Sequence, residues 1–234
     1  MQGQNRSICF ALFCWRLHVG TFRTTIIDFE TTGLSPRNGD RIIEVGAVAV
    51  ENARIVARFQ SLMNPGLRVS AFIENYTGIS NRMLAQAPTI AEVMPQLLAF
   101  LGEYPLVAHN AAFDQRFLDA ECARLGHPRG QPMACSLLLA RRVYPEAPGH
   151  SLEALVRYKR LTTSGVHHRA LADAEMTAHL WLALLHDLKR EHALRQLPFE
   201  LLLQLITLPR KNVPAFLARV AAAQGSAVPE LEPM

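Results

Sequence analysis

Thr24-Thr25-Ile26-Ile27-Asp28-Phe29-Glu30-Thr31-Thr32-Gly33 is the stretch that decides how the rest of the chain is read. From Thr24 to Phe29 the residues are β-branched, apolar or aromatic apart from Asp28, which suits a buried strand, and Thr-Thr-Gly closes the run as a turn. Side chains alternate faces along a strand, so Asp28 and Glu30 project from the same side and two carboxylates face one point. Carboxylates that close repel unless a proton or a cation lies between them. A hard divalent ion with oxygen ligands is the natural occupant.

The same tripeptide pattern, Asp-x-Glu, recurs at Asp119/Glu121 and Asp173/Glu175. Both recurrences lie in stretches of helical periodicity, where residues two apart point about 200° apart and do not readily share an ion. Only the strand-borne pair is therefore read as a metal site on its own local pattern.

Working outward, Arg41 to Val50 and Arg54 to Met63 read as two further strands, and the short connection Glu51-Asn52-Ala53 makes them an antiparallel hairpin. Ser70 to Leu84 reads as short helical pieces around Gly78. Thr89-Ile-Ala-Glu92 has capping-box spacing and opens a helix to about Leu101, with a kink expected at Pro95. Leu106-Val107-Ala108 is a brief buried strand. After it, the spacing of Phe113, Phe117, Leu118, Cys122 and Leu125 gives a helix that Gly126 and Pro128 stop, so Asp114 lies in its first turn. Gln131 to Cys135 reads as a last strand, with Ser136 capping a helix to Val143. A further helix starts at Ser151, and a long amphipathic one runs to about Leu188. Three strands with a hairpin, then alternating helices and strands, give a mixed α/β sheet flanked by helices.

A chain of 234 residues, half of them apolar, builds one such domain with a short C-terminal appendage. The net charge of +4 is compatible with a polyanionic partner without requiring one. Cys9, Cys14, Cys122 and Cys135 form neither a zinc motif nor a disulfide framework, which points to reduced thiols and a cytoplasmic protein. The apolar run Ile8 to Trp15 is too short to span a bilayer and Arg16 ends it, so residues 1–22 read as a flexible or loosely docked leader. Beyond Pro198 the composition changes. Glu200–Ile206 and Pro214–Ala223 read as two short helices, and residues 224–234 as disordered. Gln204-Leu205-Ile206-Thr207-Leu208 has a faint likeness to sliding-clamp-binding peptides, though a plain amphipathic helix suits it better.

Three segments, Asp28-Phe-Glu30-Thr-Thr-Gly33, His109-Asn-Ala-Ala-Phe-Asp114 and His168-Arg-Ala-Leu-Ala-Asp173, together resemble the three motifs of the DEDDh 3′→5′ exonucleases, in particular the bacterial DNA polymerase III epsilon-subunit proofreading type. The resemblance runs from about Thr24 to Leu185 and implies a ribonuclease H-like fold, a five-stranded mixed sheet with helices on both faces. The exonuclease domain is accordingly taken as 23–196, and the change in composition sets off 197–234 as a helical extension with a disordered tail. By similarity Asp28 would bridge two ions, magnesium or manganese, with Glu30 and Asp173 completing one site and Asp114 serving the other. His168, with four residues between it and Asp173 as in the family's spacing, would be the general base; His167 does not fit that spacing, and Arg169 stands where the tyrosine branch has its tyrosine. Thr31, Thr32 and Leu34 would hold the terminal nucleotide, with Leu34 a wedge. His109, Asn110 and Phe113 are substrate contacts on the same ground, although the first two equally suit tying down a strand end and Phe113 suits core. Thr77-Gly78-Ile79 replaces the family's frequent His-Gly-Ile, and Cys135-Ser136 replaces Asp-Thr.

The activity this implies is release of nucleoside 5′-monophosphates from the 3′ ends of single-stranded or frayed DNA. An RNA exonuclease of the same fold, or a noncatalytic module gripping a strand end or a replication partner, is the alternative. The C-terminal extension is open to three readings, docking of a polymerase subunit or sliding clamp, packing on the domain, or self-association, and no membrane partner is expected.

Overall fold

The structure, a computed structural model, describes residues 23–162 and 169–226. The expected leader, His167 and His168, and residues 227–234 of the expected tail lie outside the described residues.

The sheet has five strands in the order β3-β2-β1-β4-β5. They are β1 (Thr24–Thr31), β2 (Ile42–Glu51), β3 (Arg54–Leu62), β4 (Leu106–Ala108) and β5 (Met133–Cys135). β1, β2 and β3 pair antiparallel, and β4 and β5 add parallel on the other side of β1. The expected hairpin is present, and Asn52 and Ala53 turn it with φ of 51° and 60°. Nine helices among the described residues complete the fold: α1 (Ala71–Thr77), α2 (Asn81–Gln86), α3 (Ile90–Leu101), α4 (Ala112–Arg124), α5 (Ser136–Val143), α6 (Leu152–Tyr158), α7 (Ala170–Glu191), α8 (Phe199–Thr207) and α9 (Val213–Ser226).

Alternation along β1 sends its residues into two cores. Ile26, with Val48 and Val50 of β2, packs beneath Ala174, Ala178, Trp181 and Leu184 of α7. Ile27 and Phe29, with Val45 and Ala47, pack on the opposite face against Val93 and Leu97 of α3 and Phe117 of α4. Burying both faces explains why β2 is apolar almost throughout, as a central strand covered on both sides must be. Asp28 and Glu30 lie on the α7 face, just beyond Ile26, where the apolar core gives way to the site.

Several local readings hold. Thr89 and Glu92 form the capping box of α3, which runs on through Pro95, and the Ser151 hydroxyl caps α6. Ser136 does otherwise. It is the first residue of α5 rather than its cap, and its hydroxyl lies 2.9 Å from Nδ1 of His109. The C-terminal helices are docked: Phe199, Leu202, Leu205 and Leu217 enter the α7-side core, and the Arg142 guanidinium donates to the Leu208 carbonyl at 3.0 and 3.2 Å. Leu205, the second residue of the clamp-like stretch, is fully buried. No helix among the described residues is long and apolar enough to cross a membrane.

Candidate active site

Three elements bring the carboxylates together. The last residues of β1 supply Asp28 and Glu30, the first turn of α4 supplies Asp114, and the first turn of α7 supplies Asp173. The pairing of β1 with β2 slips between Glu30, opposite Glu44, and Thr31, opposite Ile42, so Ile43 is an extra residue at the end of the motif. Such bulges bend a strand and re-aim its side chains. One carboxylate oxygen from each of Asp28, Glu30 and Asp173 lies within 4.8 Å of the other two.

Electrostatics mark the cluster as unfavourable for anions alone. Burial pushes the Asp28 carboxyl well above its ordinary range, and the charges of Asp114, Asp173, Glu30 and Glu44 push it further. Glu30 is raised to about 7 by burial and by Asp173 and Glu44, against the opposing pull of Arg169. Asp114, buried at the helix start, is raised to about 8, chiefly by burial, although it accepts hydrogen bonds from its own N–H and that of Phe29. An all-oxygen set of converging, repelling carboxylates fits a hard divalent cation, which relieves the repulsion that destabilises them. Asp114 is not among the three within 4.8 Å of one another; it adjoins them through its bond to Phe29 and its charge at Asp28.

The loop after β1 is organised from within. Thr31 Oγ1 donates to the Gly33 carbonyl at 2.6 Å, and Thr32 Oγ1 donates to Asp40 at 3.2 Å while accepting from the Arg41 N–H at 3.0 Å. Asp40 also accepts from the Ser35 N–H at 2.9 Å. Its carboxylate lies where a side chain at Gly33 would stand, 2.4 Å from an added Cβ, so close approach rather than turn conformation alone explains that glycine. Leu34 projects from this loop 80% exposed.

His109 ends β4. Its Nε2 lies 3.1 Å from the His150 carbonyl, a pure acceptor, so Nδ1 accepts from Ser136 in the neutral ring. Burial foremost, with His150 and Arg141 nearby, lowers it to about 4 and keeps it neutral. Asn110 follows, exposed, in the left-handed region at φ 67°, which asparagine tolerates. Phe113 is partly buried and tilts against Phe117 at 5.0 Å, contributing to the α4-side core. His168 lies outside the described residues.

Sequence reasoning passed over three features. Glu44 is a fully buried acid on β2 opposite Glu30, and Arg169 bonds to it. A lone carboxylate inside Ile42-Ile43-Glu44-Val45 was a readable signal, because a charge mid-strand demands a partner. Tyr76 and Phe72 are exposed on α1, stacked at 6.0 Å with planes 9° apart. The Tyr76 hydroxyl is pushed upward by partial burial and by the charges of Glu30, Asp173 and Asp28, which sets α1 beside the cluster.

The profile of an exonuclease family of RNase T type matches residues 25–181. The chain belongs to this exonuclease family. Among its relatives, the DNA polymerase III subunit epsilon of Aquifex aeolicus is 36% identical over 170 residues, covering 72% of this chain and 82% of that subunit. The PolC-type DNA polymerase III of Caldanaerobacter subterraneus is 38% identical over 164 residues, 70% of this chain; the chain spans 12% of that polymerase's length. Among solved structures, exonuclease X in complex with 5′-overhanging duplex DNA superposes with a TM-score of 0.63 at 28% identity, over 78% of this chain and 99% of that one. The chain thus has the ribonuclease H-like architecture of its family, a mixed five-stranded sheet with helices on both faces.

Proposed function

We propose that this exonuclease is a divalent-metal-dependent 3′→5′ enzyme that acts on the 3′ ends of single-stranded or frayed DNA and releases nucleoside 5′-monophosphates. The observation that carries the reading is the convergence of Asp28, Glu30 and Asp173 within 4.8 Å, at carboxylates whose mutual repulsion a cation would relieve. Asp28, Glu30 and Asp173 would hold one ion and Asp28 with Asp114 a second, magnesium or manganese in either case. The bound ions supply Lewis-acid stabilisation to the attacked phosphate and the leaving oxygen.

The chain's own residues do the rest. His168 takes a proton from the attacking water, work suited to an imidazole near neutral pH. Leu34, fully outside the fold's core, wedges against the terminal base, and the stacked rings of Phe72 and Tyr76 offer a flat surface to bases beside the cluster. Thr31 and Thr32 shape the loop that receives the terminal nucleotide, their hydroxyls being engaged within it. His109 and Asn110 hold the end of β4 and the entry to α4, and Phe113 backs Asp114. DNA rather than RNA is the substrate this reading favours, because the epsilon relative is a DNA polymerase III subunit and exonuclease X is solved with duplex DNA. A cytoplasmic setting fits the buried free thiols of Cys122 and Cys135. A polymerase subunit or clamp would meet the outward residues of α8 and α9, since Leu205 is in the core.

Digestion of matched 5′-labelled DNA and RNA oligonucleotides with magnesium tests the proposal. A ladder shortening from the 3′ end, lost in chelator and in Asp28→Ala, is expected, with DNA cut faster. Strand binding without cleavage in magnesium or manganese overturns it.

A further inference from the structure

Glu44 is the register partner of Glu30 across β1 and β2, so two glutamates stand side by side on one face of the sheet. Like charges directly opposite in a sheet destabilise it. One guanidinium attends to both. Arg169 donates to Glu44 from Nε at 3.1 Å to each oxygen and from Nη2 at 2.7 Å, while its charge is also felt at Glu30. Glu44 accepts further from Gln60 Nε2 at 2.9 Å and from the Ala170 N–H at 3.1 Å. Gly46, two residues along the same face, explains how Arg169 is brought there. A Cβ on it would lie 2.2 Å from the backbone of Ala170 and Leu171, so the first turn of α7 rests directly on β2.

An arginine fixed at that point prefers a two-pronged bond to a carboxylate. Were Glu44 not there to take it, Glu30 is the carboxylate at hand, and a guanidinium seated on Glu30 would compete with a cation for the same oxygens. We propose that Glu44 is a positioning residue that sequesters Arg169, keeping Glu30 open as a ligand for the divalent ion. The inference rests on the cation-site reading above and adds to it a chain residue that touches neither ion nor substrate.

The test is calorimetric titration of the full chain with Mn2+ alone, without nucleic acid, on variants whose folding is checked by circular dichroism. Glu44→Gln keeps an acceptor for the Ala170 N–H but releases Arg169, and binds Mn2+ at least about tenfold more weakly than the native chain. Arg169→Gln breaks the same pair from the other side and binds at least as tightly. The double variant Glu44→Gln/Arg169→Gln recovers to within about threefold. Native affinity in Glu44→Gln overturns the proposal, and so does equal weakening in all three variants, which is what a purely structural clamp gives. If Glu44→Gln does not fold, weakened binding by folded Arg169→Gln overturns it alone. Failure of the native chain to bind Mn2+ is a different result: it sinks the cation site itself and the proposal with it.

Discussion

Asp28/Glu30 and Asp119/Glu121 are the same tripeptide pattern with opposite fates. On α4 the two side chains diverge and each finds its own arginine: Asp119 meets Arg129 at 2.6 Å, while buried Glu121 takes a two-pronged bond from Arg41 at 2.7 and 3.0 Å and another from Arg124 at 3.0 Å. On β1 the two converge, and among the described residues neither has an ion pair. The third copy divides, Asp173 joining the cluster and Glu175 pairing with Arg58. Where the chain supplies its own counter-charge, a buried acid belongs to the scaffold. Where Asp28 and Glu30 converge without an ion pair among the described residues, a cation from outside would relieve them.

The sharpest way to break this contrast is to neutralise one acid of each kind. Asp28→Asn removes a carboxylate the folded state holds at a penalty, so hydrolysis falls by roughly 10³-fold or more while the fold gains stability in chelator. Each kcal/mol gained raises the melting temperature by about 2–4 °C at this chain length. Glu121→Gln, by contrast, breaks a buried pair and costs about 3 kcal/mol, read by urea denaturation, with activity at low temperature kept within about tenfold. A loss of stability in Asp28→Asn would show that its carboxylate is compensated after all.

His109 gives a smaller effect of the scaffold kind. Its folded value, about 4, is below the ordinary value for histidine. Between pH 4 and 6.5 the unfolded chain therefore binds a proton that the native ring refuses, so the ring's contribution to stability is full above 6.5 and drains away as pH falls. On this account the native chain loses about 2–3 kcal/mol more stability than His109→Asn between pH 7 and pH 4.5, while Glu30 and Asp114, raised to about 7 and 8, act in the opposite sense in both chains. An equal change in the two chains would assign the acid sensitivity to other groups.

The sequence made the strand-borne pair legible because period-two alternation needs only local residues, and the helix entries of Asp114 and Asp173 followed from helical spacing. What stayed hidden depends on approach between distant segments. Nothing near Gly33 announces that the Asp40 carboxylate fills the space of its missing side chain, nor does anything near Gly46 announce the backbone of Ala170. Ser136 looked like a cap because serine commonly is one, and lost that role to a histidine 27 positions away. The docking of α8 was equally unreadable, since an amphipathic stripe says that a face is buried without saying against what.

The smallest expected effect separates strain that serves the site from strain that serves nothing visible. Ala53 turns the β2–β3 hairpin at φ 60°, beside Asn52 at φ 51°. A two-residue turn of this hand needs positive φ at both positions, and asparagine followed by glycine is its preferred filling. Alanine there costs about 1 kcal/mol relative to glycine, because its Cβ crowds the carbonyl in the left-handed region. Ala53→Gly should therefore raise stability by up to about 1 kcal/mol in urea denaturation, less whatever the greater freedom of an unfolded glycine takes back. Asp28→Asn and Ala53→Gly then both stabilise, yet only the first should abolish hydrolysis. If Ala53→Gly also slowed cleavage, the hairpin would belong to the working surface of the enzyme, and positive φ at Ala53 would count with the crowded carboxylates as strain kept for function.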